Sequence, residues 1–493
     1  MSGLKTTKQE SNTTSSSAEP VFIRGAQLLD GGLCDVRLAN GLIAAKAAVL
    51  QPEHNDIIVE AQGNLLLPGL QDHHLHLFAT ASARASVQCG PPEVNSEQEL
   101  RGALQAAPGS GWLRGFGFHD SVYSPLNRDW LDSVCPDRPV RIQHRSGMMW
   151  VLNSVALEQL SLDANDALPE GAERDSQERL SGRFYNLDAW LGEHLQRAWP
   201  SLTTLSAELA SYGITGVTDT GVNNDRAVWS ALQAANVRGE MLQRMLVMGS
   251  EALVECGTEQ TEWLQLGPLK LYLREVDLPD LDLFSQRILS AHQQGRAVAV
   301  HCVTRVEMFF VLEAFTQAGV RPGDRIEHAS IADDHVLERM SQLGLIAVTQ
   351  PHFIAERGDQ YCTDVDPDDL PWLYRAQSFL QQGVVLAAGS DAPYGSPDPW
   401  AAMRAAIQRT TRGGRVMGVE EQLTPHQALG LFGGTATQPG GGMRRLVAGQ
   451  AADLCLLDTD WAHLSQDLHA CHVAATFCDG KVIYQSADLK LKT

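Results

Sequence analysis

The sequence lacks any C-x-x-C pair, and its nine cysteines are scattered along the chain at positions 34, 89, 135, 256, 302, 362, 455, 471 and 478. This scatter excludes a disulfide-stapled miniature and argues against structural zinc held by thiolates. No apolar run reaches the ~20 residues that cross a bilayer, and the Ser/Thr-rich start of the chain has no apolar segment of a secretion signal. We therefore expect a soluble, cytoplasmic protein with no membrane partner.

Basic residues are also scarce. The chain has 38 Lys and Arg against 59 Asp and Glu, which gives a formal charge of −21. An excess of acidic groups repels phosphate backbones, so nucleic acid is not expected as a partner. The chain has 493 residues, about three times the ~150 residues of a typical domain. This length predicts one large domain with a smaller one.

The two ends of the chain share a strand-and-hairpin texture. After a polar stretch at 1–19, which we predict to be a disordered tail, short apolar runs are separated by Asn40-Gly41, and the other end carries Asp479-Gly480 between similar runs. Neither end has enough strands to be stable alone. We expect 20–66 and 441–493 to join in one small β-domain.

The interior, 67–440, alternates short apolar runs with helical stretches, which is typical of βαβ units around a parallel sheet. Eight strand candidates can be counted, the number that closes a (β/α)₈ barrel with its catalytic groups at the carboxyl ends of the strands. We predict a helical insertion at about 79–135, because that segment is too long for an ordinary connection. In order, the runs are NLLLPGLQDHHLH, RPVRIQH, ITGVTDT, PLKLYL, AVAVHC, RIEHAS, IAVTQPH and VVLAAGSDA.

Histidines and a carboxylate follow several of these runs. His74 and His76 are two apart on the first run, so both imidazoles point to one face and could share a cation. His301 and His328 follow runs too apolar for a surface strand, and a divalent metal is a common partner of a buried imidazole. Asp391 follows the last run and adds a carboxylate at the same edge. The set predicts a metal site at the barrel mouth.

Lys270 lies between apolar neighbours in the fourth run, where an unpaired charge is costly. One interpretation is an edge lysine whose amine reaches solvent. In the other, burial deprotonates the amine, which then reacts with carbon dioxide to give a carbamate that could bridge two metals.

These residues together resemble the amidohydrolase superfamily, in particular its YtcJ-like amidohydrolase family 3 branch. The similarity rests on PGLQDHHLH, the strand-four lysine, the two single histidines, GSDAP, LTPHQALGLFGGTATQPGG and GQAADLCLLD, and covers about 21–487. It implies a distorted metal-dependent TIM-like barrel with a β-sandwich from both termini, and one or two divalent ions, most often zinc. It further implies two metal sites, one bound by His74, His76 and Asp391 and the other by His301 and His328, bridged by a carboxylated Lys270.

The resemblance also implies an enzyme that cleaves a non-peptide C–N bond, amide or formamide-like, of a small organic substrate by metal-activated hydroxide. Asp391 would then accept the proton of the water and pass it to the leaving nitrogen. His144 and His352 could donate hydrogen bonds to the developing oxyanion, although a structural role fits them equally well. Arg145 could hold a substrate carboxylate or form a surface ion pair, and Trp112 could line an apolar substrate pocket or pack in the core.

Three alternatives stay open beside the hydrolase. A deaminase of the same superfamily would normally carry a glutamate three residues after a metal-binding histidine, where this chain has Thr304 and Ile331. A decarboxylase would use the same ligands, and a metal-free scaffold protein is the non-enzymatic alternative. The sequence leaves the substrate and the formation of a homodimer undetermined.

Overall fold

The computed structural model describes residues 19–162, 168–194 and 199–492, so the predicted disordered tail at 1–19 lies outside the described residues except for its last position. The described chain divides into two compact units. The terminal unit runs through Leu70 and includes 210–215 and the chain from Arg444 onward, and the central unit holds 71–209 and 216–443. Within the described ranges, no helix combines the length and apolar character needed to span a membrane.

The strands, in chain order, are β1 Val21–Gln27, β2 Leu33–Ala39, β3 Leu42–Ala47, β4 Ile57–Glu60, β5 Leu66–Pro68, β6 Leu70–Leu75, β7 Val87–Gln88, β8 Leu113–Phe118, β9 Val140–His144, β10 Met149–Leu152, β11 Ala172–Arg174, β12 Leu180–Tyr185, β13 Ile214–Asp219, β14 Arg244–Gly249, β15 Leu264–Tyr272, β16 Val298–Cys302, β17 Arg325–His328, β18 Ile346–Thr349, β19 Val385–Ala388, β20 Leu454–Leu457, β21 Val473–Cys478, β22 Lys481–Gln485 and β23 Leu491–Lys492.

The α-helices are α1 Leu77–Arg84, α2 Glu97–Ala106, α3 Arg128–Val134, α4 Ser154–Gln159, α5 Asp188–His194, α6 Thr203–Ser211, α7 Arg226–Val237, α8 Leu281–Gln293, α9 Arg305–Ala318, α10 Asp334–Leu343, α11 His352–Asp364, α12 Ala376–Gln381, α13 Pro399–Gln408, α14 Pro425–Gly430 and α15 Trp461–Leu464.

The terminal unit is a β-sandwich built from both ends of the chain. One sheet has the order β23-β4-β1-β2-β3 and the other the order β22-β21-β20-β5. The turn between β2 and β3 uses Asn40-Gly41, with positive φ at both residues, as a tight hairpin turn requires. Side chains of both sheets share one buried cluster that includes Ile23, Leu38, Leu456 and Phe477. The predicted sandwich from both termini is confirmed.

The central unit contains an eight-stranded sheet in the order β19-β18-β17-β16-β15-β14-β13-β6, and the six pairings from β13 to β19 are parallel. The loop after β19 bonds back to β6: the amide of Asp391 donates to the carbonyl of His74 at 2.7 Å. The amide of His76 donates to the carbonyl of Ala392 at 2.9 Å. These bonds join the first and last strands at their carboxyl ends, so the predicted TIM-like barrel is confirmed.

One predicted barrel strand was wrong. RPVRIQH forms β9, which belongs to a separate sheet, and the missing barrel strand is β14, between β13 and β15. The polar residues Arg141 and Gln143 alternate with Val140 and Ile142 in β9. This alternation is typical of a strand with one polar and one apolar face, whereas barrel strands are apolar on both faces. β14 reads RMLVMG, with a single β-branched residue, so its sequence gives a weak strand signal.

The predicted helical insertion at about 79–135 also needs correction. The segment does hold the helices α1, α2 and α3, but β7 and β8 lie between them and pair with later strands. Together they form a six-stranded sheet, in the order β11-β12-β10-β9-β8-β7, whose strands run from Val87 to Tyr185. Its two faces carry different apolar clusters, because neighbouring side chains on a strand point to opposite faces. Met149 and Val151 of β10 belong to one cluster, and Trp150 and Leu152 belong to the other.

Candidate metal centre

The carboxyl ends of five barrel strands bring six cation-binding side chains to one cavity of about 480 Å³. Although these side chains come from separate strands, the parallel strands of a barrel all end at the same face, so their terminal side chains converge. β6, β15, β16, β17 and the loop after β19 contribute, in this order, His74 and His76, Lys270, His301, His328 and Asp391. These are the six ligand positions expected from the sequence.

His74, His76 and Asp391 form the tightest group. Asp391 Oδ1 lies 3.4 Å from Nε2 of His74 and 3.4 Å from Nε2 of His76. Ligands of a tetrahedral cation with bonds of about 2.1 Å are themselves about 3.4 Å apart, so this group fits a divalent ion such as zinc. Burial opposes ionisation of Asp391, but the bonds with the two imidazoles hold its pKa well below the usual value, so the carboxylate is charged.

His301 and His328 lie beside this group. Their ring centroids are 4.4 Å apart, and that of His328 is 4.7 Å from that of His74. Burial lowers the pKa of His328 to about 3 and the pKa of His301 well below its usual value. Both imidazoles are therefore neutral and keep a lone pair for a cation. Nδ1 of His328 is 2.8 Å from the amide oxygen of Gln350, which orients the ring and leaves Nε2 for a metal.

Lys270 is only 3% exposed, and its Nζ has no hydrogen-bond partner among the described residues. Burial lowers the pKa of this amine to about 8, partly opposed by the nearby carboxylate of Glu327. An amine with this pKa is partly unprotonated near neutral pH, which is the form that reacts with carbon dioxide. The orphaned Nζ beside the histidines thus fits a carbamate, and it excludes the interpretation of an edge lysine with its amine in solvent.

Two carboxylates that the sequence analysis did not single out hold these groups in place. Glu327, which is fully buried, contacts Nδ1 of His74 and accepts from Nε of Arg325 at 2.5 Å. Asp72 Oδ1 accepts from the amides of His74 and Ser390, both at 3.0 Å, and so joins β6 to the loop that carries the ligand carboxylate. A carboxylate behind a metal-binding histidine fixes its tautomer and ring orientation. The available signals were position alone: Glu327 precedes a candidate ligand, and Asp72 begins the D-x-H-x-H motif.

Three predicted site residues do not line the described cavity. His144 ends β9 in the inserted sheet, where its Nδ1 accepts from the amide of Ser146 at 3.1 Å. His352 is buried at the start of α11, and its Nε2 lies 2.9 Å from the carbonyl of Ser390. Trp112 is 38% exposed, and the guanidinium of Arg141 lies over its ring. The described contacts of His144 and His352 are those of the structural role that the sequence analysis gave as the alternative.

Arg145 does line the cavity, together with residues that the sequence analysis missed. Arg357 of α11 lies over the ring of Phe353 and donates to the carbonyl of Tyr394. Helix position alone gives no sign that an arginine faces the mouth of a barrel. The remaining aromatic members of the wall are Tyr272, Tyr361 and Tyr374.

Comparison with known proteins agrees with this architecture. The model of the amidohydrolase family matches residues 58–484. The putative amidohydrolase YtcJ of Bacillus subtilis (strain 168) is 23% identical, over 88% of this chain and 92% of that protein. An N-substituted formamide deformylase of Arthrobacter pascens is 26% identical, over 87% of this chain and 90% of that protein. A crystal structure of an uncharacterised metal-dependent hydrolase from Pyrococcus horikoshii OT3 has a TM-score of 0.72 at 19% identity, covering 90% of this chain and 98% of that one.

Proposed function

The chain belongs to the amidohydrolase family, and we propose that it is a metal-dependent hydrolase of a non-peptide C–N bond, amide or formamide-like, in a small organic substrate. The observation that carries the proposal is the convergence of four neutral or hydrogen-bonded imidazoles, one ionised carboxylate and one orphaned amine on a single cavity. The similarity to a protein named as an N-substituted formamide deformylase supports the choice of bond.

We assign one cation site to His74, His76 and Asp391, and a second to His301 and His328. A divalent ion there, such as zinc, would supply a Lewis acid for the substrate carbonyl and lower the pKa of water from 15.7 to about 7. Lys270, if carboxylated, would present a carboxylate between the two sites. The two histidine groups are adjacent in space, since the rings of His74 and His328 are in contact.

Asp391 is the residue we assign to proton transfer. It is 8% exposed, lines the cavity and contacts the two imidazoles through Oδ1, so Oδ2 takes no part in those two contacts. An ionised carboxylate in this position can accept the proton of the attacking water and return it to the leaving nitrogen. No serine or cysteine nucleophile is needed.

The test combines metal content with turnover. The protein is expressed in zinc-replete medium, its metal is measured by elemental analysis, and release of formate or free amine is followed with a panel of N-substituted formamides and amides. At least about one equivalent of divalent metal with amine release is expected. Less than half an equivalent, or a metal-loaded protein that releases carbon dioxide and no amine, would contradict the proposal.

A matched pair of variants assigns the proton step. Asp391→Asn should lose about 10²-fold or more in kcat while keeping its far-UV spectrum, because the amide cannot accept a proton. Asp137→Asn, at an exposed carboxylate of the inserted region, should keep wild-type turnover. Full activity of Asp391→Asn would remove the carboxylate from the mechanism.

A further inference from the structure

We propose that the cavity selects substrates that carry a carboxylate, held between the guanidinium groups of Arg145 and Arg357. The inference rests on the proposed hydrolase function and names the substrate class on which that function acts: an N-acyl or N-formyl compound with a carboxylate and a small apolar or aromatic group.

The charge of the cavity is opposite to that of the chain. The whole chain carries −21, yet apart from Lys270 and Asp391, which belong to the metal site, the charged residues of the lining are the two arginines, Arg145 and Arg357. Any cation bound by the histidines adds further positive charge. A positive recess in an acidic protein attracts and orients an anion.

Arg357 is fixed in place by a backbone carbonyl and an aromatic ring. One Nη donates to the carbonyl of Tyr394, and the guanidinium lies 4.0 Å from the centroid of the Phe353 ring. A planar guanidinium that is held in this way keeps further donors in a fork that matches a carboxylate.

Arg145 reaches the same cavity from the inserted sheet, and one Nη donates to the amide oxygen of Gln360. Burial and the nearby charge of Arg357 lower the pKa of Arg145, while the exposed Asp364 offsets part of this effect. An anion bound between two guanidiniums offsets the free-energy cost of their mutual repulsion.

Neither of these arginines lies within 4.0 Å of a carboxylate in the part of the chain that the structure describes. Some arginines elsewhere in the central unit do have such partners, whereas the buried Arg296 and Arg409 are held by backbone carbonyls. Arg305 pairs with Asp333 and Asp369. Arg375 likewise pairs with Asp334 and Glu421. Arg145 and Arg357 line the cavity without such a partner among the described residues, which leaves their charge available to a ligand.

The loop that carries Arg145 lies close to the side chain of Tyr394, another residue of the cavity lining. Gly147 has φ +75°, and a Cβ added there would lie 2.7 Å from the hydroxyl of Tyr394. This close approach brings the loop to the residue whose carbonyl holds Arg357. Both arginines are therefore linked to Tyr394, Arg357 by its hydrogen bond and Arg145 through the loop that carries it.

The rest of the lining defines the other part of the substrate. Phe353, Tyr361, Tyr374, Val222 and Val303 present aromatic and aliphatic surface to the cavity. Burial raises the pKa of Tyr374 well above its usual value, so its hydroxyl is neutral. The cavity therefore suits an anion attached to an apolar or aromatic group of modest size.

Binding is measured first with probes that have no scissile C–N bond: 3-phenylpropanoate and 3-phenyl-1-propanol, by titration calorimetry on the zinc-loaded protein. The carboxylate should bind about 10- to 100-fold more tightly than the alcohol, the range expected for hydrogen bonds to charged groups. Equal binding, or no binding of the carboxylate, would overturn the proposal.

Variants then separate the arginines from the metal, which could also bind a carboxylate. Arg145→Met and Arg357→Met should each reduce the preference for the carboxylate probe over the alcohol probe to about threefold or less. Arg357→Lys should restore part of this preference. Arg238→Met, at an exposed arginine on the outer surface, should keep the wild-type preference. A preference that survives in both cavity variants would assign the carboxylate to the metal and refute the clamp. If Arg357→Met fails to fold, Arg145→Met and the wild-type comparison still decide.

Turnover of N-formyl-phenylalanine and N-formyl-phenethylamine, which differ only by a carboxylate, completes the test. A higher kcat/KM for the first, by about 10-fold or more, is expected, and the reverse order contradicts the clamp. Tight carboxylate binding without cleavage of any amide or formamide would leave the clamp standing and refute the hydrolase function, so the two failures are distinguishable.

Discussion

Replacing Glu327 with glutamine should weaken both folding stability and metal binding. Its carboxylate is fully buried between Nε of Arg325, at 2.5 Å, and Nδ1 of His74. Arg325 is itself only 1% exposed. Glutamine keeps the shape but removes the charge, so the guanidinium is left buried without its counter-ion. Breaking a buried pair in this way costs about 3–5 kcal/mol.

The same substitution weakens the hold on His74. A neutral amide stabilises the metal-binding tautomer of the imidazole less than a carboxylate does, and changes of this kind typically cost 10- to 100-fold in metal affinity. Stability is followed by urea unfolding with tryptophan fluorescence, and zinc affinity by competition with a chromophoric chelator.

Two further variants make the reasoning refutable. Glu251→Gln removes one partner of the exposed Arg287–Glu251 pair, whose side chains are 51% and 53% exposed, and should cost less than about 1 kcal/mol. The double variant Arg325→Met/Glu327→Gln should regain much of the lost stability, because no charge is left unpaired, but not the zinc affinity. If Glu327→Gln unfolds and binds zinc like the wild type, the buried carboxylate does not support the site.

Three other outcomes follow from the structure. Lys270→Ala should lower bound metal and turnover, and millimolar acetate should restore part of both if a carbamate is the missing ligand; unchanged metal content by elemental analysis would contradict the bridging role. Gly147→Ala should raise KM several-fold with a stability loss of about 1–2 kcal/mol, since a side chain at positive φ would also press on Tyr394; unaltered kinetics would argue against the packed loop. Burial lowers the pKa of His144, so the folded protein binds fewer protons there than the unfolded chain, and stability should fall as pH drops below about 6.5. His144→Asn should unfold with a shallower pH dependence between pH 7 and 5 in urea titrations, and an identical slope would refute this linkage.

Much of the metal site could be predicted from local patterns. His74 and His76 share a face because side chains alternate along a strand, and Asp391 follows an apolar run that ends at the same side of a parallel sheet. The hairpin at Asn40-Gly41 could also be predicted locally. Both residues adopt positive φ, which Asn and Gly favour in a tight hairpin turn.

The errors arose where a short apolar run had to be assigned to a sheet. RPVRIQH and RMLVMG are both strands, and only their packing places the first in the inserted sheet and the second in the barrel. His144 was therefore expected at the barrel mouth, because it follows a run that was counted as a barrel strand.

The sequence by itself determined which residue types end the barrel strands, because strand alternation and turn chemistry act over a few positions. Only the tertiary structure decided which groups support those residues and face the substrate. Glu327 meets His74 across 253 positions of the chain, and Arg145 meets Gln360 across 215. No local period encodes such contacts, since they depend on how separate strands and loops pack around one cavity.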